Sequence, residues 1–217
     1  MNEWDRRVEL VSAYKALRDE GLVVGSAGNL SVRLGETMLI TPSGCTPASA
    51  DSATIVRMVL ADETPHHGGL RPSSEWRFHR DIYLARSDAG AIVHTHAPYC
   101  TAFAIARRPL PSAHYMLAAF GGGDVRCTDY APFGTQDLSD LAVAGLEDRT
   151  AVLLGNHGMI VLGATIADAV ARAVELEALA QTIWLSQALG PPVLLPDDEM
   201  ERMVERFKTY GRRAQND

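Results

Sequence analysis

The sequence predicts a layered α/β domain, with a central, mainly antiparallel sheet flanked by helices. Short apolar runs of strand character alternate with longer runs of helical spacing. Two pairs of those strands are neighbours in the chain, 30–33 with 37–41 and 151–154 with 159–162, which favours antiparallel pairing. A length of 217 residues with 47% apolar side chains is enough for one core, so a single domain over residues 1–217 is the default.

Residues 5–20 place Val8, Leu10, Val11, Tyr14 and Leu17 at helical spacing and stop at Gly21. Gly25-Ser-Ala-Gly28-Asn29 is a Gly-rich turn running into the strand 30–33, and 37–41 is its partner, ending in the small polar turn Pro42-Ser43-Gly44. Glycines let backbone N–H groups approach an anion closely, and two such turns side by side could share a phosphate. No Gly-Lys-Ser/Thr follows, so this is not a nucleotide-binding loop of the Walker type. Residues 54–60 read as a further strand, and 61–70 as an exposed polar turn in which His66 and His67 are solvated.

Pro72-Ser73-Ser74-Glu75 opens a helix, with Ser73 or Ser74 as N-cap and Glu75 in the first turn, favourably placed for the helix dipole. His79 lies one turn later and reads as a packing or hydrogen-bonding residue. A strand over 91–97 follows, then a short helix at 99–106 broken by Arg107-Arg108-Pro109. Ala113 to Phe120 is apolar with polar tips at His114 and Tyr115, and Val125-Arg-Cys127 is a candidate short strand. Thr135 caps a helix over 136–147; strands at 151–154 and 159–162 enclose Asn156-His157-Gly158. The longest helix covers 165–189 and stops at Gly190-Pro191-Pro192; a last one runs from Pro196 to about Tyr210.

The net charge of −7, with no basic stripe, argues against a nucleic-acid partner. No apolar run is long enough to span a bilayer, and the N-terminus leads into an amphipathic segment instead of an apolar signal core. Three cysteines, Cys45, Cys100 and Cys127, are odd in number and widely spaced. That argues against a disulfide framework, and a reducing, cytoplasmic compartment is the simplest reading.

The chemistry gathers at Val93-His94-Thr95-His96. Side chains two apart on a strand share a face, so His94 and His96 project together from its end. Alone, a His-x-His pair is weak. Its company is stronger: Glu75 upstream, and His157 at a tight turn where a ligand is held rigidly. Three histidines and a glutamate from separate segments can form a catalytic zinc site with a displaceable fourth position.

Together these segments resemble the class II aldolase/adducin family, most closely its L-fuculose-1-phosphate aldolase branch. The carriers are Gly25-Ser-Ala-Gly-Asn-Leu-Ser-Val-Arg33, Leu39-Ile-Thr-Pro-Ser-Gly44, Pro72-Ser-Ser-Glu-Trp-Arg-Phe-His79, Val93-His-Thr-His96, His114-Tyr-Met-Leu-Ala-Ala119, Phe133-Gly-Thr135, Asn156-His-Gly158 and Phe207-Lys-Thr-Tyr-Gly211. Eight short motifs in the right order cover nearly the whole chain. The resemblance implies a sheet between helix layers, and His94, His96 and His157 as ligands of Zn2+, with Mn2+ or Co2+ as substitutes. It implies Glu75 as the carboxylate that approaches the metal and becomes the acid/base when substrate displaces it. Gly28, Asn29, Ser43, Gly44, Ser73 and Ser74 match a phosphate pocket. Tyr115 matches a proton donor reached from a neighbouring subunit, and Tyr210 a residue that closes over the site, in a homotetramer with active sites at subunit interfaces.

The implied reaction is reversible cleavage of a ketose 1-phosphate to dihydroxyacetone phosphate and an aldehyde through a metal-stabilised enediolate. Asn156 departs from the histidine expected in the fuculose branch. This leaves the sugar open between L-fuculose 1-phosphate and 5-deoxyribulose or methylthioribulose 1-phosphate. A pentulose-phosphate 4-epimerase and a sugar-acid-phosphate decarboxylase of the same family are the rival activities. The epimerase branch carries an aspartate motif where this chain has Ser74-Glu75-Trp76. A scaffold of the adducin kind lacks a complete metal site, whereas all four candidate ligands are present here.

Overall fold

The computed structural model describes residues 2–62, 64 and 69–210. His66, His67 and Gly211 lie outside the described residues. Helix α1 (Glu3–Asp19) starts at Asn2, whose side chain accepts from the Asp5 N–H at 2.9 Å while Asp5 accepts from the Asn2 N–H at 3.1 Å. This reciprocal cap satisfies two N–H groups that the first turn cannot pair internally.

Among the described residues six strands form one sheet: β1 (Gly28–Leu34), β2 (Thr37–Ile40), β3 (Val56–Val59), β4 (Ala91–Thr95), β5 (Ala151–Leu154) and β6 (Gly158–Gly163). Their order is β3-β2-β1-β4-β6-β5, and every neighbouring pair is antiparallel. The strand alternation feeds two cores. Leu39, Val93, Leu153 and Val161 point to one face, where they meet Leu10 and Tyr14 of α1, Phe103 of α3 (Pro98–Ile105), Leu176 of α5 (Ile166–Ser186) and Met200 of α6 (Asp197–Phe207). Met38, Ile92, Val152 and Ile160 point to the other, against Phe78 and Ile82 of α2 (Trp76–Ala85) and Leu138 and Ala142 of α4 (Gln136–Gly145). The sheet is buried on both faces, which makes its strands apolar runs with little polar alternation. Each fully buried Ile, Leu or Val contributes about 1.5–3 kcal/mol.

Several boundaries differ from the sequence reading. The strand expected at 54–60 is confined to Val56–Val59, because Asp51 accepts from the Ala53 N–H at 2.7 Å and turns Ser52–Thr54 into a 3-10 helix. Val125 and Cys127 make only isolated bridges, to Leu110 and Leu153. Residues Gln187–Leu189 tighten to 3-10, and the last helix ends at Phe207 instead of near Tyr210. Among the described residues, no helix is long and apolar enough to cross a membrane.

Candidate active site

One cavity of about 320 Å³ opens at the end of β1 and β4. Gly28, Asn29, Ser43, Gly44, Ser73, Ser74, Glu75, His96 and His157 all line it. Two turns remote in sequence are zipped together to make one wall. The Ser43 N–H donates to Arg71 O at 2.9 Å and the Ser73 N–H to Thr41 O at 3.0 Å. From below, the Tyr14 hydroxyl lies 3.1 Å from Gly28 O and 3.0 Å from Cys45 O, so α1 ties the Gly-rich turn to the Pro42–Gly44 turn. That wall presents small hydroxyls and backbone, with no bulky side chain to keep an anion at a distance.

The other part of the site is imidazole. His94 lies fully buried in β4, directly opposite Asn29 in the antiparallel register. Its Nδ1 is 2.9 Å from Met159 O on β6. A carbonyl only accepts, so Nδ1 carries a hydrogen, and in the neutral ring Nε2 is left as a lone pair toward Glu75. His96 follows just beyond the strand end. His157 sits after a tight turn in which its N–H donates to Leu154 O at 3.0 Å. Asn156 takes the left-handed conformation there (φ 56°), which asparagine tolerates. Its N–H donates to Ala104 O at 2.9 Å, and its Oδ1 accepts from Arg107 Nε at 2.7 Å, so the end of α3 pins the turn that carries His157.

The three rings converge, with centroids 4.8–5.1 Å apart and one nitrogen of each within 4.8 Å of the others. Burial, and then the charge that the neighbouring His94 would carry, push His96 and His157 down to about 4. Both are therefore neutral at physiological pH, as a metal ligand must be.

Glu75 completes the set. One carboxylate oxygen is 3.2 Å from His94 Nε2, the other 3.3 Å from His157 Nε2, and Asn29 Nδ2 donates to the first at 2.9 Å. Burial would raise its pKa, but the charges that His94 and His157 would carry, and the Asn29 amide, hold it well below the usual carboxylate range. Two buried atoms of the site, Glu75 Oε1 and His94 Nε2, have no hydrogen-bond partner. A carboxylate oxygen facing an imidazole lone pair at 3.2 Å is repulsive unless a cation lies between them. The atoms present therefore fit a divalent ion with three imidazole ligands and one displaceable carboxylate.

Gly158 is required by this packing. A Cβ there would stand 2.5 Å from Thr95 O and 2.8 Å from His96 Cδ2. We expect Gly158→Ala to displace His96 and weaken metal affinity by about tenfold or more, as read by competition with a chelator.

The helix start differs from expectation. Glu75 itself occupies the N-cap position of α2, with no side-chain cap bond, and α2 begins at Trp76. The Ser73 hydroxyl accepts from the Glu75 N–H at 3.3 Å and so sets the direction of Glu75 instead of capping the helix. Tyr115 and Tyr210 do not line the cavity. They lie together elsewhere, both against Phe207, with ring centroids 6.4 and 5.7 Å from it. Tyr115 is half exposed and Tyr210 largely exposed. Sequence reasoning missed Tyr130, which lines the cavity mouth beside Ala131 and Phe133. It stands in an irregular stretch where no periodicity marks a position.

Residues 8–184 match the family described as Class II Aldolase and Adducin N-terminal domain. The 5-methylthioribulose-1-phosphate/5-deoxyribulose-1-phosphate aldolase of Rhodospirillum rubrum is 49% identical over 206 residues, 95% of this chain and 92% of that protein. The L-fuculose phosphate aldolase of Escherichia coli K12 is 43% identical over 196 residues, 90% of each chain. A solved structure of L-fuculose 1-phosphate aldolase superposes with a TM-score of 0.89 at 40% identity, covering 94% of this chain and 96% of that one.

Proposed function

The chain belongs to the class II aldolase and adducin family, and on that premise we propose that it is an aldolase. It would reversibly cleave a ketose 1-phosphate to dihydroxyacetone phosphate and an aldehyde. The observation that carries this reading is the Glu75 carboxylate set 3.2 and 3.3 Å from two imidazole nitrogens, in one cavity with serine hydroxyls and glycine backbone. His94, His96 and His157 would hold a divalent ion, with Glu75 beside it until substrate arrives. Zn2+ is the ion of this proposal, with Mn2+ or Co2+ as substitutes. When bound, the ion supplies Lewis-acid withdrawal of negative charge from substrate oxygens, a contribution of several kcal/mol.

The protein's own groups do the rest. Gly28, Ser43, Gly44, Ser73 and Ser74 bind the phosphate through hydroxyl and N–H donors and so place C3 against Glu75. Asn29, in the same pocket, orients Glu75 through its amide. In cleavage the C4 hydroxyl passes its proton through the Tyr115 oxygen to water, the C3–C4 bond breaks with its electron pair left on C3, and Glu75, protonated from water once substrate is bound, delivers that proton to C3. In the aldol direction Glu75 takes that proton back.

We assign Tyr115 as the group that protonates the aldehyde oxygen, acting in the cavity of a neighbouring subunit of a homotetramer. Its exposure and its position away from this chain's own cavity support that reading. Tyr210 would close over the same neighbouring site. Tyr115→Phe should slow aldol bond formation by about a hundredfold while exchange of the C3 proton in dihydroxyacetone phosphate falls far less. Equal losses in both would remove Tyr115 from the aldehyde.

The substrate's far end meets Tyr130, Ala131 and Phe133. This partly apolar side suits a sugar that ends in a methyl or thioether group: L-fuculose 1-phosphate, 5-deoxyribulose 1-phosphate or 5-methylthioribulose 1-phosphate. A pentulose 5-phosphate would place its dianion there, which disfavours the epimerase. The testing experiment is a cleavage panel of these ketose phosphates plus L-ribulose 5-phosphate, with zinc-loaded protein and released dihydroxyacetone phosphate as readout. Release from a deoxy-ended ketose 1-phosphate supports the proposal and ranks its substrates. Epimer formation alone moves the chain to the epimerase branch, and silence on the whole panel with metal bound points to a decarboxylase or dehydratase of the family.

A further inference from the structure

A buried ladder of polar side chains joins α2 to β1 behind the active site. Asn29 and Ser31 are two apart on β1 and so share a face. His79 and Tyr83 are four apart on α2 and also share a face. The two spacings nearly match, so the pairs meet rung to rung. His79 Nε2 is 2.6 Å from Asn29 Oδ1, His79 Nδ1 is 2.7 Å from Ser31 Oγ, and Ser31 Oγ is 2.8 Å from the Tyr83 hydroxyl. His79 is fully buried and stacked on Phe78 at 4.7 Å.

The direction of every bond follows from the far end. Glu75 is a carboxylate and only accepts, so the Asn29 amide must turn its NH2 toward it. The Asn29 oxygen then faces His79, and His79 Nε2 must carry the hydrogen. Burial keeps the imidazole neutral, holding its pKa down to about 3, so Nδ1 is bare and accepts from Ser31 Oγ–H. Ser31 in turn accepts from the Tyr83 hydroxyl. The chain Tyr83, Ser31, His79, Asn29, Glu75 therefore runs donor to acceptor in a single sense.

We propose that His79 is a positioning residue that locks the Asn29 amide, and through it aims the Glu75 carboxylate at the reacting carbon. Packing alone does not explain the ladder, because an apolar residue could fill the space behind Phe78. What the histidine adds is a fixed hydrogen on Nε2. Without it the Asn29 amide can turn its oxygen toward Glu75, replacing a donor with a repelling acceptor. The inference rests on the reading of Glu75 as the acid/base.

The first test needs no substrate. In 15N NMR of the zinc-loaded protein, with His79 assigned by its disappearance in His79→Gln, the ring should be the Nε2–H tautomer. The Asn29 side-chain amide should shift in His79→Leu and stay near its native position in His79→Gln, whose amide can still donate to Asn29. The opposite tautomer in the native protein would overturn the proposal. These signals are read whether or not any sugar phosphate is cleaved, so failure of the aldolase reading and failure of this one are separable.

In the active enzyme, His79→Leu should lower kcat by about tenfold to a hundredfold, the loss expected when a hydrogen bond to a charged group is removed. KM and metal content should change little, and His79→Gln should regain most of the native kcat. Native kcat in His79→Leu, or equal losses in both variants with metal retained, would also overturn it.

Discussion

His94→Ala should purify without its divalent ion and lose cleavage by a factor of about a thousand or more, since both Lewis-acid charge withdrawal and ligand geometry go with it. The expectation rests on the position of the ring. His94 is fully buried, its Nδ1 is held by Met159 O at 2.9 Å, and its Nε2 has no partner other than the site. The deletion also leaves a void and removes the hydrogen bond from Nδ1 to Met159 O, with a stability cost of about 1–3 kcal/mol. Thermal unfolding of the variant should therefore be measured beside its metal content. A folded His94→Ala protein that retains one tightly bound ion per chain would remove His94 from the ligand set.

Glu75→Gln should have the opposite signature, with metal kept and chemistry lost. The amide is nearly isosteric, and three imidazoles remain to bind the ion. But an amide cannot take or return a C3 proton. Exchange of that proton in dihydroxyacetone phosphate should fall by about a hundredfold to ten-thousandfold, the usual range for a general acid–base group. The substitution also gives the Asn29 amide a neighbour that carries a donor as well as an acceptor. The chain of bonds from His79 then keeps its direction only when the new side chain turns its oxygen toward Asn29. Undiminished exchange would exclude Glu75 from the acid/base role.

Much of this arrangement was legible in the chain because its signals are local. The His-x-His pair depends only on strand alternation, and the turn at Asn156-His157-Gly158 only on the apolar runs that bracket it. Both strands and both faces follow from runs such as Ala91–Thr95 and Gly158–Gly163. The less legible parts are those set by distant contacts. Asn29 belongs by motif to a phosphate pocket, yet its amide is committed to Glu75, which only the register Asn29 opposite His94 and the packing of α2 reveal. Ser73 reads as an N-cap, but the helix begins later, at Trp76, because Ser73 accepts from the Glu75 N–H before the helix starts. Tyr130 has no pattern to announce it. Its place in the cavity lining depends on how the irregular stretch after Gly121 is held, with the Thr128 N–H donating to Leu153 O at 2.9 Å.

The most direct test of the central claim is metal removal. Protein freed of divalent ions with a chelator should lose exchange of the C3 proton of dihydroxyacetone phosphate in deuterated water, and one equivalent of Zn2+ per chain should restore it. Full exchange in the metal-free protein would contradict the account.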